Sequence, residues 1–393
     1  MKLLNLAFSI LLGGLSASAS VPLNSSILLF HEGDYIRCPQ LLRNAIALGN
    51  QTINIVPAIG FQADTSKVIT AYCLEKTDGL CHKMTPQLAN FFALKVKECL
   101  SVAKAAKVDI AILPHLDFGH RGQGMPTDRP LSPPIWRNYL SFDPLATYHG
   151  FTYEQLMLRP LVESAKELVA AGRSVYLSLQ GEMGVSVFQY SSQYTRIYQS
   201  YRSQMPSPKF QMGLSFNFNN TNGEFKNFPV NEVQNLFSRV DFIGISAYRG
   251  VSVPPQVADF PAIVQSFVTE LNQLKVIVPP QKPLHFSEIS IGGGDYKQTG
   301  KMASSVEELA RAPWSGVGGA YNPANDPWQR ADFAEFRRRY FKALMDFLRV
   351  PAAQYPVVAS FIWNAGSWDV QGLYSPSYGD KVIVNAIRAH NAQ

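Results

Sequence analysis

The sequence is poor in charged residues and, after its first twenty positions, lacks any long apolar run. Charged residues make up 16% of the 393 positions and hydrophobic residues 46%. This balance excludes an intrinsically disordered chain, a coiled coil and a collagen. No later segment reaches the roughly 18 consecutive apolar residues that a transmembrane helix needs. We therefore expect a globular protein without a membrane partner.

The N-terminal segment has the pattern of a secretory signal peptide. Lys2 supplies a positive charge, residues 3–15 form a short apolar stretch, and residues 17–19 are small, as at a cleavage site. The apolar stretch is too short to span a bilayer. We expect a signal peptide over residues 1–19 and one secreted domain over residues 20–393.

The small net charge says little about binding partners. Lysine and arginine number 35 against 29 aspartates and glutamates, which leaves a formal charge of +6. The densest basic run, residues 337–339, lies in a segment whose apolar residues recur at helical spacing. We interpret this run as the solvated face of a helix. We expect no nucleic-acid partner, and we expect a monomer.

Only four cysteines are present, and all fall in the first quarter of the chain: Cys38, Cys73, Cys81 and Cys99. In an exported protein such cysteines form disulfides, and four of them allow three pairings. We favour Cys73–Cys81 as a short loop closure together with Cys38–Cys99. Cysteine and histidine do not occur at zinc-ligand spacing, and no cofactor motif is present. We expect neither a metal nor an organic cofactor.

Short β-rich apolar runs alternate along the chain with longer amphipathic stretches. The strand candidates are residues 27–31, 53–59, 108–114, 175–179, 212–216, 242–245, 284–289 and 357–363. The clearest helical patterns are at residues 86–104, 153–171, 261–274, 330–348 and 381–390. Continuous apolar runs are typical of parallel strands that are buried on both faces. The α/β pattern predicts a single (β/α)8 TIM barrel with long loops after its strands, and the alternative is an open doubly wound sheet.

Two of the predicted strands end in a glutamate. Glu182 follows the fourth strand, and Glu288 lies at the end of the seventh. A carboxylate at the end of a buried run is costly unless it is paired or lies at the barrel mouth. Strands four and seven lie across the mouth from one another, and paired carboxylates perform acid/base and nucleophilic glycoside cleavage. The alternative is that each glutamate only caps its strand or pairs with an arginine.

All five tryptophans follow or end predicted strands: Trp136, Trp314, Trp328, Trp363 and Trp368. Aromatic faces around a polar mouth suit the apolar faces of sugar rings. Large aromatic residues also pack loops, so each tryptophan has two interpretations. Trp363 ends a strand, which favours a functional position for it.

These segments resemble motifs of the clan A glycoside hydrolases, and they are most similar to glycoside hydrolase family 113, a family of β-mannanases. The similar segments are LPHLD at 113–117 with RG at 121–122, GEM at 181–183, DFIGISAY at 241–248, KPLHFSEISIGG at 282–293 and FIWNAGSWDVQGLYSP at 361–376. The similarity begins near residue 110 and covers the third to the eighth strand. Their order along the chain is that of the clan.

The resemblance implies roles for individual residues. It implies Glu182 as the general acid/base and Glu288 as the nucleophile. It implies substrate contacts or orienting roles for His115, Asp117, Arg121, Tyr248, Trp363, Asn364 and Trp368, with Tyr248 bonded to the nucleophile and Trp363 beneath the sugar. A tyrosine hydroxyl beside Glu288 favours its ionised form, and we expect a more apolar setting to keep Glu182 protonated.

The leading hypothesis is a secreted, retaining, endo-acting β-glycoside hydrolase that acts on β-mannan or a related polysaccharide. Gly181 stands where many clan members have asparagine and family 113 has threonine, so the substrate is less defined than the reaction. A β-glucanase or galactanase of the same clan is one alternative. A catalytically inactive barrel that binds carbohydrate is another, since a fold alone does not confer activity.

Overall fold

The computed structural model describes residues 20–119, 122–123, 135–218, 225, 227–316, 325–350 and 354–393. The predicted signal peptide, residues 1–19, lies outside the described residues. Within them no helix is both long enough and apolar enough to cross a bilayer.

Eight parallel strands close into a ring. The described strands are β1 Leu23–Leu29, β2 Thr52–Ala63, β3 Ile69–Glu75, β4 Cys81–Lys83, β5 Asp109–Ile112, β6 His115–Phe118, β7 Gly122–Gln123, β8 Val175–Gly181, β9 Phe210–Asn217, β10 Phe242–Ser246, β11 Leu284–Ile289 and β12 Val357–Ile362. The order around the ring is β1, β2, β5, β8, β9, β10, β11 and β12, and β12 pairs back to β1. This closure confirms the predicted barrel and excludes the open sheet, which would leave two strand edges unpaired.

Helices surround this ring. They are α1 Glu32–Ala47, α2 Pro86–Ala106, α3 Arg159–Ala170, α4 Gly184–Gln189, α5 Ser191–Gln204, α6 Val230–Arg239, α7 Asp259–Gln273, α8 Val306–Arg311, α9 Ala331–Leu348 and α10 Lys381–Asn391. A π-helical turn, Glu154–Leu158, leads into α3. Side chains cap several helix starts: the Asp380 carboxylate accepts from the backbone N–H groups of Val382 and Ile383 at α10. The five predicted helices all correspond to observed helical segments.

The interior of the barrel is filled partly by hydroxyl groups. The Ser178, Ser215 and Ser287 hydroxyls form a chain, with oxygen–oxygen distances of 2.7 and 2.9 Å. A Cβ on Gly244 would collide with two of these hydroxyls, so the close approach requires glycine there. Asn54 Nδ2 donates to Ser26 Oγ at 3.0 Å in the same interior. Buried polar groups that are bonded in this way fix the relative positions of the strands that carry them.

A small second sheet stands above the barrel rim and was not predicted. β2 is twelve residues long, and its end pairs antiparallel with β3, which pairs with β4. β6 continues the third barrel strand and pairs with the same end of β2. The sequence pattern predicted only a long loop after the second barrel strand. That expectation was wrong because β3 and β4 are short strands between the predicted strand at 53–59 and the predicted helix at 86–104.

Both favoured disulfides are present. Cys38–Cys99 joins α1 to α2, and Cys73–Cys81 joins β3 to β4. A Cβ on Gly60 would collide with both sulfur atoms of the second disulfide, so glycine lets the hairpin pack against β2.

The basic run at residues 337–339 is only partly solvated. Arg338 and Arg339 are exposed, as expected. Arg337 is buried, with its guanidinium carbon 4.1 Å from the ring centre of Trp328. The prediction of a solvated face was therefore wrong for Arg337, because its side chain turns inward and packs over the ring of Trp328.

Removing the Cys38–Cys99 disulfide should destabilise the protein more than removing Cys73–Cys81. The sequence separations are 61 and 8 residues. Loop-closure entropy then gives losses of about 4 and about 2.5 kcal/mol in the free energy of unfolding. Urea unfolding of the two double cysteine-to-alanine variants measures both losses. The reverse order would contradict a dominant contribution from chain entropy.

Candidate active site

A cavity of about 580 Å³ lies at the carboxyl ends of the barrel strands. It is lined by Trp136, Arg137, Glu182, Asn217, Phe218, Tyr248, Glu288, Tyr296, Gln298, Trp314, Trp363 and Trp368. The lining thus contains both predicted glutamates and four of the five tryptophans. In this barrel architecture the loops that follow the strands form the active site.

Contacts with three neighbours hold Glu182 at the end of β8. Its backbone has φ of 59°, in the left-handed region, and its N–H donates to the Ser215 carbonyl at 2.9 Å. Asn217 Nδ2 donates to Oε1 at 2.9 Å, and Arg137 Nη2 lies 3.1 Å from Oε2. A non-glycine residue in this backbone region is uncommon and is often associated with functional sites. Both carboxylate oxygens of Glu182 therefore face donors.

Glu288 lies on β11 and is almost fully buried. The Tyr248 hydroxyl donates to Oε2 at 3.2 Å. His115 Nε2 is 3.1 Å from Oε1, although the two atoms are not aligned for a hydrogen bond. Burial raises the pKa of Glu288 to about 7, against the opposing effects of Arg137 and of the tyrosine hydroxyl. The ionised form is thus less favoured here than in water.

His115 forms the wall behind Glu288 and does not itself line the cavity. Its ring is fully buried and stacks on Trp363, with ring centres 5.6 Å apart. Burial, together with the charge of Arg137, lowers the pKa of His115 to about 3. The imidazole is therefore neutral at physiological pH. A Cβ on Gly181 would collide with this ring and would lie 2.8 Å from the Pro114 carbonyl oxygen, which explains the glycine before Glu182.

Arg137 links two of the acidic residues and was not predicted. It begins a 3-10 turn, Arg137–Tyr139, in the long loop after the third barrel strand. Its Nη1 forms an ion pair with Asp117 Oδ1, and its Nη2 contacts Glu182. Burial alone would lower the pKa of Arg137, but the surrounding carboxylates outweigh burial and raise it. The predicted Arg121 lies outside the described residues.

The expected apolar setting of Glu182 is wrong. Glu182 faces the guanidinium of Arg137 and the amide of Asn217. Glu288 is instead the carboxyl group whose pKa burial raises. The expectation failed because Arg137 reaches Glu182 from a different loop, 45 positions earlier in the sequence.

Aromatic side chains form the walls of the cavity. Trp368 stacks on Tyr248 with ring centres 5.9 Å apart, and Trp363 follows the last barrel strand. On another wall Phe218 stacks on Trp314 at 5.5 Å, and Tyr296 meets Trp314 edge to face. These faces can accept sugar rings, because the C–H groups of a sugar ring pack well on aromatic carbon.

Two of the residues proposed from the sequence lie behind the lining. Asn364 is fully buried and donates through Nδ2 to the Ser26 carbonyl at 3.3 Å and to Gln371 Oε1 at 3.1 Å. Trp328 donates through Nε1 to the Ser367 carbonyl at 2.7 Å. Both side chains hold the wall and do not face the cavity.

Within the described residues, no group of three or more acidic, histidine or cysteine side chains is arranged to hold a metal ion.

Besides Arg137, the sequence interpretation missed Asn217, Phe218, Tyr296 and Gln298. Asn217 ends β9 and Phe218 follows it. A polar residue at the end of a buried strand could have indicated Asn217 as a site residue. Tyr296 and Gln298 belong to the long segment after β11, where nothing local in the sequence indicates which residues turn inward.

Comparison with solved structures identifies the architecture. No protein-family model matches the chain, and no curated protein sequence matches it. A GH113 β-1,4-mannanase is similar with a TM-score of 0.53 at 11% identity, over 96% of this chain and 100% of that chain. The GH113 β-mannanase AaManA from Alicyclobacillus acidocaldarius has a TM-score of 0.52 at 12% identity, over 95% and 98% of the two chains. The chain has the fold of these barrels.

Gly181→Ala should destabilise the fold, because the added methyl group meets a buried ring and a backbone carbonyl. Overpacking of this kind costs about 1–3 kcal/mol. Gly316→Ala is a matched control, since its nearest neighbour would lie 3.4 Å away. Urea unfolding of both variants measures the difference. A Gly181→Ala variant as stable as the control would contradict the close approach of His115.

Proposed function

We propose that this protein is a glycoside hydrolase that cleaves β-linked polysaccharide with retention of anomeric configuration. The observation that carries this proposal is the presence of two buried glutamates, Glu182 and Glu288, in one aromatic cavity at the barrel mouth. Paired carboxyl groups are the machinery of glycoside hydrolysis. The fold similarity to mannanases supports the same reaction class.

In the first step the Glu288 carboxylate attacks the anomeric carbon and forms a covalent glycosyl ester. Glu182 gives its proton to the glycosidic oxygen, so the leaving sugar departs as an alcohol. In the second step the Glu182 carboxylate takes a proton from water, and the resulting hydroxide displaces Glu288 from the sugar. The product has the configuration of the substrate, and both glutamates return to their starting protonation states.

Two neighbours of Glu288 support the ionised form that a nucleophile needs, although burial raises the pKa of this group. The Tyr248 hydroxyl bonds one oxygen of the carboxylate, and the charge of Arg137 opposes the effect of burial. Removal from water also makes the carboxylate a more reactive group, since fewer solvent bonds must break before attack. Trp363, which stacks on His115, supplies an aromatic floor beside it.

We propose β-mannan as the substrate and secretion as the location. The ordered motifs shared with family 113 support the first, and the N-terminal signal pattern with two disulfides supports the second. The lining contains one basic residue, Arg137, among the described residues, and it is already paired with carboxylates. An uncharged polysaccharide fits such a lining better than an anionic one.

Hydrolysis of β-mannan, mixed β-glucan and β-galactan by the purified protein tests the proposal. Glu182→Gln should lower kcat by at least about 10²-fold through loss of acid/base catalysis, and Glu288→Gln should lower it further. Glu154→Gln, which removes a glutamate paired with Arg159 outside the cavity, is the matched control and should keep full activity. Proton NMR of the first product should give retention.

Three results would contradict parts of this proposal. Inversion of the anomeric configuration would contradict the role of Glu288 as the nucleophile. Turnover of β-glucan or β-galactan alone would contradict β-mannan as the substrate. Binding of oligosaccharide without any turnover would favour a carbohydrate-binding barrel.

The pH dependence of kcat/KM should have one limb near pH 7, because burial raises the pKa of Glu288 to about 7. The active enzyme carries an ionised Glu288 and a protonated Glu182, so a break in the profile falls at the pKa of Glu288 whichever of the two groups titrates first. Beyond that break kcat/KM should fall about tenfold per pH unit. Initial rates at substrate concentrations below KM from pH 4 to 9 measure the limb. A profile without a break between pH 6 and 8 would contradict a nucleophile with a raised pKa.

A further inference from the structure

One guanidinium at the cavity contacts two carboxylates. Arg137 is the only basic residue in the described lining, and its side chain is 13% exposed. Nη1 pairs with Asp117, and Nη2 lies 3.1 Å from Glu182 Oε2. Asp117 comes from β6, opposite Gly60 of β2, so the small sheet above the barrel positions it. Arg137 therefore connects the rim sheet to the carboxyl group at the end of β8.

The contact with Arg137 presents hydrogen-bond donors, and no acceptor, to Glu182. A guanidinium only donates hydrogen bonds, so it cannot accept one from a protonated carboxyl group. The second oxygen of Glu182 accepts from the Asn217 amide. The proposed reaction nevertheless requires Glu182 to carry a proton when the glycosidic oxygen arrives. The strength of the contact with Arg137 must therefore affect catalysis.

Asp117 weakens this contact because it shares the same positive charge. With Asp117 ionised, its negative charge offsets part of the attraction that the guanidinium exerts on Glu182. Without that negative charge, the whole cation would act on Glu182. The other titratable groups near Glu182 are His115, Tyr248 and Glu288. His115 and Tyr248 are both neutral near pH 7, because burial keeps the first deprotonated and the second protonated.

We propose that Arg137 is a positioning residue that acts through Glu182, and that Asp117 sets how firmly Arg137 holds the ionised form of that glutamate. The catalytic consequence rests on the proposed function, whereas the electrostatic linkage of the three side chains does not. Arg137 and Asp117 thus influence the protonation of Glu182 without taking part in the bond-making steps.

The two partners should have opposite effects when they are changed. Arg137→Met removes the cation, so Glu182 should become protonated at a higher pH than in the wild type. Asp117→Asn leaves the cation unopposed, so Glu182 should become protonated at a lower pH. Each shift should be about one pH unit, the effect expected of a charge at this distance. The double variant should fall between the two single variants.

Carbon-13 NMR of protein labelled at the glutamate carboxyl carbons measures this titration without substrate. The Glu182 signal is assigned by its loss in Glu182→Gln. Arg202→Met and Asp241→Asn are matched controls, because this ion pair lies at the start of β10, away from the cavity. They should leave the Glu182 titration unchanged. Near-ultraviolet circular dichroism verifies the fold of every variant. If Arg137→Met does not fold, the Glu182 titration in Asp117→Asn alone tests the proposal.

The limb of kcat/KM that does not lie near pH 7 should move in the same directions as the Glu182 titration, and Arg137→Lys should restore part of the wild-type position. Shifts smaller than about a third of a pH unit, or shifts of the same sign in both single variants, would overturn the proposal. If the wild-type protein hydrolyses no glycan, the proposed function fails, and the substrate-free titration still decides the role of Arg137.

Discussion

Two carboxylates, those of Asp117 and Glu182, share the guanidinium of Arg137 beside a third carboxyl group, that of Glu288. Burying several like charges together is unfavourable, so each must be neutralised, bonded or protonated. Asp117 and Glu182 divide the guanidinium of Arg137, whereas Glu288 has only the Tyr248 hydroxyl and the approach of a neutral His115. This unequal distribution of donors gives the two glutamates different chemistry. Two carboxyl groups with different environments are what a double displacement requires.

Hydrogen bonds inside the barrel fix the positions of the two glutamates. The Ser215 carbonyl accepts the Glu182 N–H at 2.9 Å and the Gln180 amide at 2.8 Å. The Ser215 hydroxyl bonds that of Ser287, the residue before Glu288. The hydroxyl chain therefore joins the strands that carry both carboxyl groups. A polar interior of this kind is satisfied only when the strands keep one register, and this fixes the geometry of the site above it.

Much of the barrel could be predicted from the sequence, because a parallel strand that is buried on both faces is a continuous apolar run. β11 was predicted with its observed bounds, and Glu288 was found because a carboxylate is unusual in such a run. Arg137 and Asn217 could not be assigned in this way, since their importance comes from contacts with Glu182 across separate loops and strands. Asn364 has a polar side chain beside a strand end, yet it turns into the wall, a direction that the local sequence does not determine.

Chemical trapping of the glycosyl ester tests the assignment of the nucleophile most directly. The protein would be incubated with a 2-deoxy-2-fluoro-β-glycosyl fluoride of the sugar that it hydrolyses, then digested and analysed by mass spectrometry. We expect one added sugar on the peptide that contains Glu288 and none in the Glu288→Gln variant. A sugar on the Glu182 peptide, or continued hydrolysis without any adduct, would contradict the roles assigned to the two glutamates.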